Sequence, residues 1–263
     1  MFILGISSTT KILSVALVDC EMGKTPAAGL GMKLLAEFNL SGEKARAENI
    51  AYFIEKMFSS AGFDIKKVEA VAVVQGPGSY GGVRGGVTSA KVFAQVLGVP
   101  VFGVSTLEAM AYNFVGAGKT IMVILDAKAG EFNVALFALP VIVQESSKTV
   151  LDGGETSILK RLTEDFVIGE AKLIEKIRAV EGEMLVAGAL DKIDFPPSVL
   201  KKENLSFVAF AQSFPRASLT AALAIASYRA GRAGKKIKRV AAENCLKLLP
   251  RYSHQPNIRG YKK

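Results

Sequence analysis

The stretch VEAVAVVQGPGSYGGVRGGVTSAKVFAQVLGVPVFGVST, at residues 68–106, predicts the centre of the fold. Residues 68–74 are mostly apolar and β-branched, which is typical of a strand buried on both faces. Residues 75–82 are rich in glycine and contain a proline, so the backbone must turn sharply there. Apolar residues then recur at helical spacing over 83–97, and a second apolar run follows at 99–104. The stretch therefore predicts a strand, a tight turn, a helix and a second strand.

The glycine-rich turn has the composition of an anion-binding loop, because backbone N–H groups at the start of a helix can hold a phosphate. The candidate phosphate-binding residues are Gly76, Gly78, Ser79, Gly81 and Gly82. A dinucleotide site would also need a carboxylate about 20 residues further on, and residues 75–107 contain no Asp or Glu. A Walker loop would need Lys and Ser or Thr directly after Gly81, where Gly82 and Val83 stand. The sequence leaves two interpretations open, a simple anion site and a turn that needs glycine for its shape.

The predicted helix carries almost no side chain on one broad face. The small residues of this face are Gly81, Gly82, Gly85, Gly86, Ser89, Ala90 and Ala94. A glycine inside a helix costs about 0.8 to 1 kcal/mol relative to alanine, so close packing must offset that cost. The bare face predicts a close neighbour, which is either the chain's own sheet or a helix of another protein.

Three strands and one long helix are predicted ahead of this unit. Apolar runs at 2–6 and 12–18 flank a polar tip and predict a hairpin, and a third strand is expected at 34–40 after an insertion loop at 20–33. A helix is predicted from residues 41–43 to residue 61, with Gly62 as its stop. Its apolar stripe consists of Ile50, Phe53, Ile54, Met57, Phe58 and Ala61. This stripe is wider than one sheet face requires, which favours a protein partner over a core-only role.

The positive charge of the chain is concentrated at its C-terminal end. The 263 residues carry a formal net charge of +9, with 33 Lys or Arg against 24 Asp or Glu. Residues 228–263 hold eleven of those basic residues and a single acidic one, Glu243. Such a tail can follow a phosphate backbone through counterion release, and a solvated end is the alternative. The nucleic-acid candidates are Lys235, Lys236, Lys238 and Arg239.

Composition excludes several functional classes. No apolar run approaches the roughly 18 residues of a membrane span, and Met1 leads directly into a strand pattern, so we expect neither membrane insertion nor export. Two distant cysteines, Cys20 and Cys245, suit a reducing compartment, and a cytoplasmic protein is predicted. His254 is the single histidine. A multi-histidine metal site within the chain is therefore excluded, and no metal is predicted.

Several segments resemble the bacterial TsaB (YeaZ) family. The segment GPGSYGGVRGGVTSAKVFAQVLGVPVFGVSTLEAMA at 76–111 is similar to its signature, and ILGISSTTKILSVALVD at 3–19 and LDAKAGEFNVALFAL at 125–139 continue the match. Weaker matches are PRA at 215–217 and LLPRYSH at 248–254. The resemblance implies an α/β fold of the actin/Hsp70/sugar-kinase class with two sheet-and-helix lobes. We accordingly expect an N-terminal lobe at 1–108, a C-terminal lobe at 109–227 and a basic tail at 228–263.

The resemblance also implies a function and partners. TsaB proteins work in the formation of threonylcarbamoyladenosine in tRNA, pairing two helices with the catalytic paralogue TsaD, alongside the TsaE ATPase. Homodimers form through the same helices. Carried over to this chain, the partner-binding residues are Glu48, Ile50, Ile54, Met57, Phe58, Arg84, Val87 and Lys91. No cofactor is required, ATP or ADP is expected only at or near the partner interface, and tRNA is reached indirectly or through the basic tail.

The sequence argues against independent catalysis, and no catalytic residue is predicted. Ser7 occupies the position of a family aspartate and cannot supply a charge to Mg²⁺, as a kinase would require. A serine hydrolase elbow would need G-x-S-x-G, but Pro77 stands where the first glycine belongs. Asp126 remains as an acid at a strand end. The alternative function is therefore an independent ATPase or kinase of the same fold.

Overall fold

The computed structural model describes residues 1–20, 32–139, 142–145, 148–151, 159–230 and 247–253. Residues 21–31 of the predicted insertion loop, most of the predicted basic tail and His254 lie outside the described residues. So do the nucleic-acid candidates Lys235, Lys236, Lys238 and Arg239. None of the helices that the structure describes is long and apolar enough to cross a bilayer.

The first sheet has five strands in the order β3-β2-β1-β4-β5. Its strands are β1 (Phe2–Ser7), β2 (Leu13–Cys20), β3 (Met32–Leu40), β4 (Ala70–Val74) and β5 (Val101–Val104). The first three strands pair antiparallel, as the hairpin pattern predicts, whereas β4 and β5 join β1 in parallel. Every residue of β4 is buried, because helices cover both faces of the sheet. The predicted strand, turn, helix and strand are confirmed.

Two helices cover one face of this sheet, α1 (Ile50–Ala61) and α2 (Tyr80–Leu97). Both end at a glycine in the left-handed conformation, Gly62 and Gly98, as predicted. Their starts differ from the prediction. Residues 42–49 form two short 3₁₀ turns, with Gly42 at φ +79° and Arg46 in extended backbone, so α1 begins only at Ile50. Helix α2 begins three residues early, which places Gly81 and Gly82 in its first turn.

The second sheet is built around β6 and β7, in the order β10-β7-β6-β12-β13, with β11 also paired to β7. Its strands are β6 (Thr120–Lys128), β7 (Glu131–Ala138), β10 (Lys160–Arg161), β11 (Phe166–Gly169), β12 (Met184–Gly188) and β13 (Leu205–Val208), and β8 (Ile142–Glu145) and β9 (Lys148–Leu151) form a separate hairpin. The helices of this half are α3 (Thr106–Ala111), α4 (Glu170–Arg178), α5 (Pro197–Leu200) and α6 (Phe210–Ser213). Helices α3 and α4 pack on opposite faces of this sheet.

The last described helix, α7 (Ala217–Ala230), returns to the first sheet. It packs on the face opposite α1 and α2, and a Cβ added at Gly5 of β1 would lie 2.2 Å from the carbonyl oxygen of Ala217. Small side chains on the helix and the missing side chain at Gly5 allow this close approach. The predicted C-terminal lobe, 109–227, therefore differs from the structure, because α7 belongs to the core of the N-terminal lobe.

Glu37 of β3 anchors the start of α7. Arg216 donates to Oε2 of Glu37 through Nε at 3.1 Å and through Nη2, and Ser218 donates to Oε1 through N at 3.0 Å and Oγ at 2.7 Å. Burial acts to raise the pKa of Glu37, but these hydrogen bonds outweigh it and hold the pKa below its ordinary value. Glu37 is therefore an ionised anchor between the first sheet and a helix far along the chain.

Candidate functional site

A cleft of about 1230 Å³ lies between the two sheets. Its walls are the tip of the β1–β2 hairpin, the start of α2, the β6–β7 turn, the residues after β12, and the segment 247–253. Such a cleft between two lobes is a usual place for a ligand in an α/β protein. Three parts of the wall carry polar groups of interest: Lys11, the glycine-rich turn and Asp126.

The glycine-rich turn is held closely by the chain's own backbone. A Cβ added at Gly76 would lie 2.0 Å from the carbonyl oxygen of Arg251, and one at Gly78 would lie 2.3 Å from that of Thr9. A Cβ added at Gly82 would lie 1.9 Å from the carbonyl oxygen of Ser8. Gly76 and Gly78 also have positive φ angles, +112° and +155°. Close packing against the chain's own backbone therefore explains why these three positions are glycine. Phosphate binding at the turn stays a prediction.

Residues 247–253, which we call the C-terminal strap, lie across this turn. The N–H of Arg251 donates to the carbonyl oxygen of Gln75 at 2.7 Å. Leu248 packs against the core beneath α1 and α2, and the ring of Tyr252 lies 5.2 Å from the ring of Tyr80. The sequence indicated this segment only as a faint resemblance; its contact with the turn is visible only in the folded chain.

Asp126, the acid that keeps the enzyme alternative open, is engaged in its own turn. Its Oδ1 accepts from the backbone N–H of Lys128 at 2.7 Å, and its Oδ2 accepts from Nζ of Lys128 at 2.9 Å. Burial acts to raise the pKa of Asp126, but the Lys128 hydrogen bonds dominate and lower it. Asp126 is thus an ionised group that closes the β6–β7 turn at the cleft wall.

Ser7, at the position of the family aspartate, is fully buried at the end of β1. Its Oγ has no hydrogen-bond partner among the residues that the structure describes. Across that same part of the chain, no group of three or more His, Cys, Asp or Glu side chains is arranged to hold a metal ion. Two acids line the cleft near strand ends, Asp126 of β6 and Asp191 after β12, and an enzyme hypothesis would have to rest on them.

The predicted partner-binding residues fall into two groups. Ile50, Ile54, Met57, Phe58 and Val87 are buried in the chain's own core. Only Glu48 and Arg84 are exposed, and Lys91 is partly buried. The stripe on α1 is therefore explained by the sheet on which it packs, and Val87 of α2 is buried in the same way.

The bare face of α2 is also covered by the chain itself. A Cβ at Gly85 would lie 2.2 Å from Cβ of Ala47, and one at Gly86 would lie 2.5 Å from Oγ of Ser8. The neighbour at these positions is the chain itself, but it is the turn before α1 and the tip of the β1–β2 hairpin, whereas the sheet was predicted. Of the four glycines in α2, Gly81 alone has open space around its added Cβ.

The outer faces of both helices carry exposed apolar side chains that the sequence analysis missed. Val96 of α2 is 79% exposed, Val92 lies one turn before it and is also exposed, and Tyr52 of α1 is 54% exposed. Their signal in the sequence is an apolar residue at a position that the helical period assigns to solvent. Exposed apolar groups on adjacent helices are typical of a contact surface.

Glu108 belongs to a charged cluster on the inner side of α3. Its Oε2 lies 3.7 Å from Nη2 of Arg161, which also pairs with Asp165. Burial raises the pKa of Glu108 above its ordinary value, although the charge of Arg161 opposes this shift. Ser105 donates to Asp165 at 3.3 Å, so the cluster ties the end of the first sheet to the second.

A family model described as TsaD, tRNA N6-adenosine threonylcarbamoyltransferase, matches residues 33–258. The chain belongs to the TsaD family. Within that family, the resemblance to TsaB is confirmed by the protein of Bacillus subtilis named tRNA threonylcarbamoyladenosine biosynthesis protein TsaB, which is 26% identical over 185 residues, or 63% of this chain and 76% of that protein.

Two further comparisons bear on this TsaD-family chain. An uncharacterized protein of Mycobacterium tuberculosis is 29% identical over 130 residues, which cover 47% of the chain; the chain spans only 59% of that relative. The solved structure of YeaZ from Pseudomonas aeruginosa superposes with a TM-score of 0.62 and 19% identity, covering 95% of this chain and 99% of that one. At this identity the likeness shows the fold alone, and it confirms the predicted actin-like α/β class.

Proposed function

We propose that this chain is a non-catalytic accessory subunit in the formation of N6-threonylcarbamoyladenosine in tRNA. In this role it binds and activates a TsaD-type catalytic subunit, together with a TsaE-type ATPase. The proposal is supported by the chain's membership of the TsaD family together with the state of Asp126, the candidate acid of the cleft, which is hydrogen-bonded within its own turn. Asp126 accepts hydrogen bonds from the backbone N–H and from Nζ of Lys128, and Ser7 contributes no charge at the end of β1.

The partner surface that we propose is the outer face of α1 and α2. Val92 and Val96 lie on one ridge of α2, and an apolar groove of about 350 Å³ is lined by Phe58 of α1, by Phe63 and by Phe93 of α2 among others. A ridge beside a groove suits a partner helix, because side chains of one helix fill the grooves of another. Glu48 and Arg84 lie at exposed positions where they can set the orientation of the partner. A second copy of the chain would use the same surface in a homodimer.

Titration with the cognate catalytic subunit tests this proposal. Val96→Glu places a charge in the centre of the proposed contact and should weaken the complex by at least about 2 kcal/mol, or some 30-fold in Kd. Leu200→Glu is the matched control, since Leu200 is a similarly exposed apolar residue on α5 of the other lobe. No complex with the unaltered chain, or equal weakening by both variants, would refute the proposal.

The enzyme alternative has its own test. If the chain is an independent ATPase or kinase, purified protein hydrolyses ATP, and Asp126→Asn abolishes this turnover because a cleft carboxylate would be needed to hold Mg²⁺. The accessory role predicts no turnover above that of a mock purification. It further predicts that Asp126→Asn supports the modification reaction as well as the unaltered chain does when TsaD and TsaE are supplied.

A further inference from the structure

Two tyrosines and an arginine form an open surface where the cleft meets α2; we call it the aromatic platform. The rings of Tyr80 and Tyr252 are 5.2 Å apart and tilted by 33°. Nη1 of Arg84 donates to the hydroxyl of Tyr80 at 3.0 Å, and its guanidinium carbon lies 5.2 Å from the Tyr80 ring. Tyr80 is nevertheless 47% exposed. A flat ring of a ligand can therefore reach this surface.

The platform is assembled from distant parts of the chain. Tyr80 and Arg84 lie one turn apart on α2, and Tyr252 reaches them only because the C-terminal strap is docked on the glycine-rich turn. The contact of Arg251 with Gln75 and Gly76 sets that docking. Burial, with a further contribution from Tyr80, raises the pKa of Tyr252, so the phenol of Tyr252 is neutral at physiological pH.

Basic side chains outnumber acidic ones along the wall of the cleft that contains Tyr80 and Tyr252. The basic residues are Lys11, Lys128 and Lys192, and the acidic ones are Asp126 and Asp191. In the sequence the strap is flanked by residues 231–246, with five Lys or Arg and one Glu, and by residues 254–263, with three Lys or Arg and no acid. Both flanks lie outside the described residues. Net positive charge beside exposed aromatic rings favours a polyanion with flat rings as the ligand.

We infer that the aromatic platform of Tyr80, Arg84 and Tyr252 binds an unpaired stretch of RNA. A base stacks on an open tyrosine face, as bases do on aromatic side chains in single-strand binding proteins. The adjacent phosphates meet Arg84 and Lys11. A paired helix cannot use the platform, because its bases are already stacked on one another. The choice of RNA rests on the proposed function; the position of the site rests on the aromatic and cationic groups.

Fluorescence anisotropy with the full chain tests the inference. The probes are a labelled anticodon stem-loop RNA and a fully paired RNA of the same length, each titrated at several salt concentrations. Tyr80→Ala and Tyr252→Ala should each weaken binding of the stem-loop about 5- to 100-fold and leave binding of the paired RNA unchanged. Arg84→Ala should lower the slope of log K against log salt by about 0.7, the value for one phosphate of a single strand.

Leu162→Ala is the control, because Leu162 is 46% exposed, close to the 47% of Tyr80, and lies in the second lobe, outside both the platform and the proposed partner surface. This variant should bind the stem-loop like the unaltered chain. Equal binding by Tyr80→Ala, Tyr252→Ala and Leu162→Ala, or an equal loss in all three, would overturn the inference. If Tyr80→Ala loses the TsaD complex and keeps the RNA, the platform is instead a protein contact. Loss of RNA binding with an intact TsaD complex supports the inference separately from the proposed function.

Discussion

Gly76→Ala should release the C-terminal strap. The new Cβ would lie 2.0 Å from the carbonyl oxygen of Arg251, which is backbone and cannot swing aside. The glycine also sits at φ +112°, where an L-residue costs about 1 to 3 kcal/mol. Undocking adds the lost Arg251–Gln75 hydrogen bond, about 0.5 to 1.5 kcal/mol, and the lost Tyr80–Tyr252 ring contact, about 0.5 to 1.5 kcal/mol. The free energy of unfolding should therefore fall by about 2 to 6 kcal/mol.

Gly62→Ala separates backbone strain from undocking. Gly62 has φ +62° but no atom within 4 Å of the added Cβ, so its substitution should cost only about 1 to 2 kcal/mol. Urea unfolding gives both free energies, and amide hydrogen exchange reports on Arg251, which should lose protection only in Gly76→Ala. In a chain truncated after Lys247, the cost of Gly76→Ala should fall to that of Gly62→Ala. Retained protection at Arg251 in Gly76→Ala would refute this account of the strap.

Three further substitutions test the remaining anchors. Glu37→Gln should lower the free energy of unfolding by about 1.5 to 3 kcal/mol at pH 7. Since the pKa of Glu37 is lowered in the folded chain, this stabilisation is present above the unfolded pKa near 4.5 and is lost as pH falls through the folded pKa. A cost in urea unfolding that does not change with pH would contradict this prediction. Burial raises the pKa of Glu108, so folding is favoured when this carboxyl is protonated. The free energy of unfolding of the unaltered chain, relative to that of Glu108→Gln, should therefore increase as pH falls from 7 through the folded pKa. A difference between the two variants that does not change with pH would contradict this prediction. Gly5→Ala should lower the free energy of unfolding by about 1 to 3 kcal/mol or more by pushing α7 off β1, whereas Gly182→Ala, which meets open space in a loop, should be neutral in thermal unfolding.

Local patterns in the sequence predicted the strands of the first sheet and the two helices on one of its faces. The apolar runs at 2–6 and 12–18, the buried strand at 70–74 and the helix ends at Gly62 and Gly98 all depend on neighbours a few residues away. The predicted start of α1 was wrong. A positive φ at Gly42 and extended backbone at Arg46 interrupt the helix that the sequence pattern predicted from residues 41–43. Periodicity identifies a buried stripe, and it does not say which surface covers the stripe.

The sequence by itself therefore determined the order of strands and helices up to β5, the presence of an unusually tight glycine turn, and the position of the positive charge. The tertiary structure alone decided what the glycines face. Gly76 meets the strap, Gly82 meets the β1–β2 hairpin and Gly5 meets α7, and each of these neighbours is distant along the chain. The physical reason is that a missing side chain specifies close approach without specifying its partner, and the partner is chosen only when the two lobes and the strap pack together.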